Sequence, residues 1–212
     1  RLRDTVVGFV NRVVPTGSVV LCADDPELSR LRDRIAGRTV TYGIEDGTAA
    51  IVGEEPVYHA VGSRCRVCVS SGGHSTDVRL HVGIPGRHNL LNALGAFTVG
   101  LEMGLAPDRI VSALANFKGV NRRFEIKGEV AGMRVVDDYA HHPTEVAAVL
   151  ETARSPSHKR LIAVFQPHRF SRTARCFEKF ARVLSVADVV VLTDIFAAGE
   201  SPISGVTAGR LA

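Results

Sequence analysis

The residue types best suited to chemistry are concentrated in residues 137–142, which read Asp-Asp-Tyr-Ala-His-His and follow a short apolar run. Two adjacent carboxylates and two adjacent imidazoles are costly to bury without partners, so a purely structural role would need a partner for each. The pattern therefore favours metal binding or acid–base chemistry. Guanidinium groups pair with carboxylates and grip phosphates in two-point contacts. Arginines that could do so lie just upstream and in a later loop: Arg122, Arg123, Arg169, Arg172 and Arg175.

A second polar group lies in residues 83–92, which read Gly-Ile-Pro-Gly-Arg-His-Asn-Leu-Leu-Asn. Asn89 and Asn92 are three residues apart and would share one face of a helix. A helix start offers free N–H groups and a positive dipole end, which suit an anion or a hydrogen-bonding heterocycle. From spacing alone the simpler interpretation is favoured, in which Asn89 is an N-cap and His88 a surface residue.

The four cysteines are too few for a disulfide framework in a chain of this length, and we expect them to be reduced. They are Cys22, Cys65, Cys68 and Cys176. Cys65 and Cys68, together with His74 and His81, offer four potential zinc ligands, but the gap between the two pairs is far shorter than in zinc fingers. Because an odd separation in a strand points the two thiols to opposite faces, packing within a strand is favoured.

The elements that must position these groups alternate between strands and helices. Apolar spacing predicts a helix over residues 1–14, a strand over 18–22, a short helix ending near Arg34 and a strand over 38–42. Residues 48–82 contain short β-type runs that indicate a hairpin or small antiparallel patch. Two packed helices follow, one over about 86–104 and one from Pro107, and turn residues near 120 predict a domain boundary.

The last 80 or so residues contain three predicted strands, each followed by a polar loop and a helix. In a parallel sheet such loops all lie at the carboxyl ends of the strands, where open α/β sheets place their ligands. We therefore expect the loops around Asp138, His168 and Asp194 to converge on one edge.

Bulk composition excludes several classes of protein. Of the 212 residues, 45% are hydrophobic and 23% charged, and no apolar run approaches the roughly 20 residues of a membrane span. With no export signal, the sequence predicts a soluble cytoplasmic protein without membrane insertion. The net charge of +4 would suit any anionic partner, but the basic residues are dispersed and Trp is absent, so a nucleic-acid partner is not favoured.

Four motifs in order resemble the Mur ligase family. They are Gly-Arg-His-Asn at 86–89 with Asn92, Arg-Arg-Phe-Glu at 122–125, Asp-Asp-Tyr-Ala-His-His-Pro-Thr-Glu at 137–145, and Phe-Gln-Pro-His-Arg-Phe-Ser-Arg-Thr at 165–173. The middle motifs are long and specific, whereas residues 1–82 match only loosely. Within the family, the pattern is most similar to the members that join L-alanine to UDP-N-acetylmuramate. The ligase that recycles murein tripeptide is the alternative.

The resemblance implies an α/β fold with a partial central ATPase domain followed by a Rossmann-like C-terminal domain with a mostly parallel sheet. Residues 1–120 would form the later part of the ATP-binding domain, and residues 121–212 a C-terminal domain truncated at its end. No Gly is followed directly by Lys, so the core of a phosphate-binding P-loop is absent from these residues. We expect that loop, the UDP-binding domain and most magnesium ligands upstream, and expect the chain alone to be inactive.

The implied reaction uses ATP and Mg²⁺ to phosphorylate the carboxylate of UDP-N-acetylmuramate. The amine of L-alanine then attacks the acyl phosphate. In this interpretation His88, Asn89 and Asn92 hold the adenine, and Arg123 and Asp138 contact the ribose and phosphates. The substrate-binding residues are Tyr139, His141, His168, Arg169 and Arg172, of which His141, Arg169 and Arg172 are also the catalytic candidates. A non-catalytic binding module with the same fold is a further alternative, and the oligomeric state stays open.

Overall fold

The computed structural model describes residues 2–70, 76–154 and 159–212. The chain divides into two compact units, Arg1–Lys118 and Gly119–Ala212. Within the described ranges, no helix combines the length and the apolar character that crossing a membrane requires. The α/β class predicted from the sequence is confirmed, because helices and strands alternate through both units.

The first unit contains five strands, four α-helices and one short 3₁₀ helix among its described residues. In chain order they are α1 (Leu2–Val10), β1 (Ser18–Cys22), α2 (Pro26–Leu31), the 3₁₀ helix (Arg32–Arg34), β2 (Arg38–Gly43), β3 (Ile51–His59), β4 (Gly62–Val69), β5 (Thr76–Val82), α3 (Arg87–Glu102) and α4 (Pro107–Ala115). The strands form one sheet in the order β1-β2-β3-β4-β5. β1, β2 and β3 pair in parallel, whereas β3, β4 and β5 are antiparallel, as the β-type runs of residues 48–82 predicted.

Helix α3 packs the core of the first unit. Leu90, Leu94 and Phe97 recur at helical spacing along its inner face and are 0% exposed, as their periodicity predicted. Burying each such side chain contributes about 1.5–3 kcal/mol. Strand β3 approaches this face closely, because a Cβ on Gly53 would lie 2.7 Å from Leu94 Cδ1. Helix α3, whose start carries the predicted adenine-binding residues, is thus packed firmly against the sheet.

Cys65 and Cys68 lie in β4 and point in opposite directions, as their separation predicted. Cys65 is 4% exposed within the core, and burial, followed by the charge of Cys68, raises the pKa of its thiol to about 12. His74 lies outside the described residues. Over the part of the chain that is described, no group of three or more His, Cys, Asp or Glu side chains could hold a metal ion. The opposite orientation of the two thiols and the burial of Cys65 support strand packing for the cysteine pair.

The second unit has shorter strands. Its described elements are β6 (Glu125–Val130), β7 (Met133–Asp137), α5 (Pro143–Ala153), β8 (Ile162–Phe165), α6 (Phe170–Arg175), α7 (Phe177–Leu184), β9 (Val189–Leu192) and α8 (Ala208–Leu211). Phe180 on α7 is 0% exposed and packs against Phe165 of β8 with ring centroids 5.2 Å apart. Val146 and Leu150 of α5 complete the same core. This core supports the carboxyl end of β8, where the predicted site residues begin.

The strands of this unit form one parallel pair and one antiparallel hairpin. β8 and β9 are parallel, but β7 pairs with β6 in an antiparallel hairpin, and no ladder joins β7 to β8 among the described residues. The turn explains this arrangement, because Ala131 and Gly132 have φ of 51° and 76° between paired Val130 and Met133. Two consecutive residues with positive φ are typical of a tight hairpin turn. β7 is therefore folded back onto β6.

Candidate functional site

The start of α3 carries the three residues predicted to hold adenine. The N-cap is Gly86, whose φ of 102° and ψ of 145° suit glycine, and it provides no side-chain cap. The interpretation of Asn89 as N-cap is therefore wrong, because the backbone enters the helix three residues earlier. Asn89 instead donates its Nδ2–H to the carbonyl oxygen of Pro85 at 2.8 Å. His88 is partly buried in the first turn, and Asn92 is exposed one turn further on.

Arg87, the first residue of α3, contacts two carboxylates that lie far from it in the sequence. Its Nη2 lies 2.8 Å from Asp24 Oδ2 and 3.0 Å from Glu45 Oε1. Asp24 is next to Asp25, the N-cap of α2, whose side chain accepts hydrogen bonds from the backbone N–H groups of Glu27 and Leu28. No local pattern distinguishes the two aspartates, because the partner of Asp24 is 63 residues away.

In the second unit, Asp138 connects two parts of the backbone. One carboxylate oxygen accepts the N–H of Phe124 at 2.7 Å, and the other accepts the N–H of Ala140 at 2.7 Å. Phe124 is 7% exposed and has a φ of 46°. The carboxylate of Asp138 thus has the partners that a structural role requires, while its proposed contact with ribose or phosphate stays a prediction.

Arg122 and Arg123 have different environments although they are adjacent. The Arg122 guanidinium lies 4.7 Å from the centroid of the Tyr139 ring, and its Nε is 3.5 Å from Asp137 Oδ2. Arg123 is exposed, and its positive charge contributes to lowering the pKa of Glu145. Arg122 therefore supports the loop, whereas the Arg123 side chain faces solvent.

Glu145 organises the two histidines at the start of α5. Its Oε2 accepts the backbone N–H groups of His141 and His142 at 3.0 and 3.1 Å, and His142 Nδ1 accepts the N–H of Thr144. This reciprocal arrangement is a capping box, and Glu three residues after the cap is its signal in the sequence. Partial burial raises the pKa of Glu145, but the two N–H groups and the charges of His141 and Arg123 outweigh it, so the pKa is lowered.

Three of the predicted substrate-binding side chains come together. The His141 ring lies 5.2 Å from the Tyr139 ring and 6.2 Å from the His168 ring, centroid to centroid, and His141 Nδ1 is 2.9 Å from the carbonyl oxygen of Tyr139. His168 also packs on Phe196, at 5.2 Å, and pairs with it through a parallel bridge. Gln166 Nε2 donates to the Asp194 carbonyl oxygen at 3.4 Å. The loops after β7, β8 and β9 therefore converge, as predicted.

Two buried nitrogen atoms in this group have no hydrogen-bond partner among the described residues, His168 Nδ1 and Arg172 Nη1. Such atoms are uncommon because each loses hydration without compensation. Burial, followed by the charges of Arg172, Arg169 and His141, lowers the pKa of His168, whereas Glu200 opposes this effect. The result is a neutral imidazole beside a guanidinium with unused hydrogen-bonding capacity, which suits an anionic ligand.

Arg169 is held in an unusual backbone conformation with a φ of 71°. Its N–H donates to the Phe196 carbonyl oxygen at 2.8 Å, and its Nη1 lies 3.4 Å from Glu200 Oε1. Glu200 also accepts the N–H and the hydroxyl of Ser171 at 2.9 and 2.7 Å. These contacts fix the N-terminal end of α6, which carries Arg172. Neither Glu200 nor Ser171 was among the predicted site residues, and Glu200 lies about thirty residues away with no local signal.

Acidification is expected to weaken the fold through His168. Its pKa is lowered from 6.5 in the folded chain, so the unfolded chain takes up the proton first and stability falls as the pH drops below that value. Thermal unfolding measured between about pH 7.5 and 5.5 should show a falling midpoint, and His168→Gln should reduce the slope. Glu145 and Glu200, whose pKa values are lowered from 4.5, contribute only at more acidic pH. An unchanged slope in His168→Gln would contradict this assignment.

Comparison with known families covers most of the chain. Residues 3–100 match the Mur ligase middle domain, and residues 122–212 match the family described as Mur ligase, glutamate ligase domain. A UDP-N-acetylmuramate--L-alanine ligase from Nitratidesulfovibrio vulgaris strain DP4 is 45% identical over 210 residues, which cover 99% of this chain and 45% of that protein. The enzyme of the same name from Geobacter sulfurreducens is 41% identical, covering 100% and 45%. The chain thus spans about half the length of the curated relatives that it matches.

Solved structures show the same fold. The UDP-N-acetylmuramate-alanine ligase from Thermotoga maritima superposes with a TM-score of 0.66 at 30% identity, covering 84% of this chain and 38% of that one. A MurF ligase from the same organism, in complex with ADP, gives a TM-score of 0.70 at 20% identity, covering 89% and 43%. At that identity the second likeness concerns the fold alone.

Proposed function

The chain belongs to the Mur ligase family, and from this premise we propose that the intact protein joins L-alanine to UDP-N-acetylmuramate in an ATP-dependent reaction of peptidoglycan synthesis. The observation that carries the proposal is the 45% identity, over 99% of this chain, to a ligase named for those two substrates. The convergence of Tyr139, His141 and His168 beside Arg172 supports it with a site of suitable chemistry.

The proposed reaction has two steps. The terminal phosphoryl group of ATP passes to the muramoyl carboxylate, which gives an acyl phosphate and ADP. The free amine of L-alanine then attacks the acyl carbon, and phosphate leaves as the amide forms. Both steps create or move negative charge on oxygen atoms, so the protein must supply positioning and charge neutralisation. Arg172, with its buried Nη1 unpaired among the described residues, and Arg169 are suited to that role.

We assign roles to the remaining predicted residues as part of the same proposal. The first unit is the later part of the ATP-binding domain and the second is the Rossmann-like C-terminal domain. Magnesium and a cytoplasmic location stay predictions from the sequence. The adenine would be held by His88, Asn89 and Asn92, the ribose and phosphates by Arg123 and Asp138, and the acid substrate and L-alanine by Tyr139, His141, His168, Arg169 and Arg172.

Product formation by the intact protein tests this proposal. ADP and phosphate release should require both UDP-N-acetylmuramate and L-alanine, and mass spectrometry should find one amide-linked product with the mass of the two substrates less one water. Turnover with murein tripeptide but not with L-alanine would instead favour a recycling ligase. If the protein bound these substrates but none of the combinations gave turnover, a non-catalytic module would be favoured.

A further inference from the structure

The Asp24 carboxylate is buried, and none of the ligand-binding roles assigned above uses it. Its side chain is 2% exposed, whereas most aspartates lie at the surface. The carboxylate accepts the backbone N–H groups of three successive residues, Ile44 at 3.0 Å, Glu45 at 3.1 Å and Asp46 at 3.1 Å. Burying a carboxylate is costly unless it is paired and hydrogen-bonded, and here it is both, since Arg87 supplies the counter-charge at 2.8 Å.

The end of β2 is shaped to admit this carboxylate. A Cβ on Gly43 would lie 2.5 Å from Asp24 Oδ1, a distance at which something must shift. The following three N–H groups can turn toward Asp24 because the strand presents no side chain at that point. One carboxylate thereby joins the loop after β1 to the loop after β2.

Arg87 extends this connection to the start of α3. It is the first residue of the helix, and the same Nη2 atom contacts both Asp24 Oδ2 and Glu45 Oε1. The N-cap Gly86 has no side chain with which to fix the helix start, so the usual capping bond is missing at this point. The Arg87 guanidinium instead anchors the first turn to the carboxyl ends of two parallel strands.

We propose that Asp24 and Arg87 are positioning residues for nucleotide binding, whose ion pair sets the rotation and depth of the first turn of α3. His88 and Asn89 follow Arg87 directly, and Asn92 lies one turn further on, so a shift of the first turn would move all three. This inference rests on the proposed function, in which those residues hold adenine. Neither Asp24 nor Arg87 is required to touch the nucleotide.

The test is the kinetics of Arg87→Ala in the intact ligase. We expect the KM for ATP to rise about tenfold, which corresponds to about 1.4 kcal/mol, while the KM values for the acid substrate and L-alanine and the kcat at saturating ATP stay near wild type. The inhibition constant for ADP should rise in parallel, because ADP carries the same adenine. Glu45→Gln is the matched control. Glu45 contacts the same nitrogen but its side chain is 72% exposed, so the KM for ATP should not change.

Two further variants keep the inference falsifiable if Arg87→Ala fails to fold. Arg87→Lys retains the charge and should recover part of the ATP affinity that Arg87→Ala loses. Asp24→Asn retains the size of the side chain but not its charge, and should weaken ATP binding. A lower unfolding midpoint with an unchanged KM for ATP, or an equal rise in all three KM values, would show that the pair only stabilises the fold. If the wild-type protein shows no saturable dependence on ATP, the proposed function fails, and the inference fails with it.

Discussion

Replacing Arg172 by alanine in the intact ligase is expected to raise the KM for the acid substrate or for L-alanine by about ten- to more than a hundredfold. Its Nη1 is buried without a partner among the described residues, so a bound anion can supply the missing hydrogen bond. Loss of such a charge-assisted contact costs about 1.5–3 kcal/mol. The guanidinium makes no ion pair with a described residue, so the unfolding midpoint should stay near wild type. Steady-state kinetics with each substrate varied in turn measure the effect.

Two controls separate this effect from a general loss of positive charge. Arg175 lies on the same short helix α6 and is exposed, so Arg175→Ala should leave all three KM values unchanged. Arg123→Ala should raise the KM for ATP instead, because we assign that residue to the nucleotide. If Arg172→Ala weakened ATP alone, our division of the site between the substrates would be wrong.

Periodicity was enough to predict most elements that carry the site. The spacing of Leu90, Leu94 and Phe97 defines one face of a helix, and the structure buries that face completely. The apolar run at Val189–Leu192 is a strand with those bounds. Such patterns are readable because the geometry that repeats side chains every two or 3.6 residues is local. The convergence of the polar loops could be predicted because each loop follows one of these predicted strands.

Long-range partners were not predictable in the same way. Residues 137–142 were predicted to bind a metal or to act in acid–base chemistry, yet Asp138 and His142 make hydrogen bonds to backbone N–H groups. The partner of Asp138 at Phe124 is 14 residues upstream, and Asp24 and Arg87 are 63 residues apart. Single-residue patterns carry no information on such pairs, because the pairing depends on how the hairpin and the sheet bring distant loops together.

Removing the carboxylate of Asp138 should destabilise the chain substantially. In Asp138→Ala the N–H groups of Phe124 and Ala140 both lose their acceptor, and each hydrogen bond to a charged group contributes about 1.5–3 kcal/mol, so we expect the free energy of unfolding to fall by about 3 kcal/mol or more. Chemical denaturation of the wild-type chain and the variant measures this difference. Asp138→Asn keeps one oxygen acceptor, so its free energy of unfolding should lie between those of the wild-type chain and Asp138→Ala.

Asp137→Ala is the matched control for this prediction. Asp137 is adjacent and carries the same charge, but its side chain is 36% exposed and its contact with Arg122 is 3.5 Å long, so its loss should cost less than about 1 kcal/mol.

The comparison of Asp138→Ala with Asp137→Ala also decides how the kinetics of Asp138 variants are to be read. If Asp138→Ala unfolded like the wild type but had a raised KM for ATP, the carboxylate would serve the nucleotide rather than the backbone. If it is strongly destabilised, as the two short hydrogen bonds lead us to expect, the KM for ATP has to be measured under conditions in which the variant is shown to be folded. Only the rise in KM for ATP that is measured under those conditions belongs to nucleotide binding.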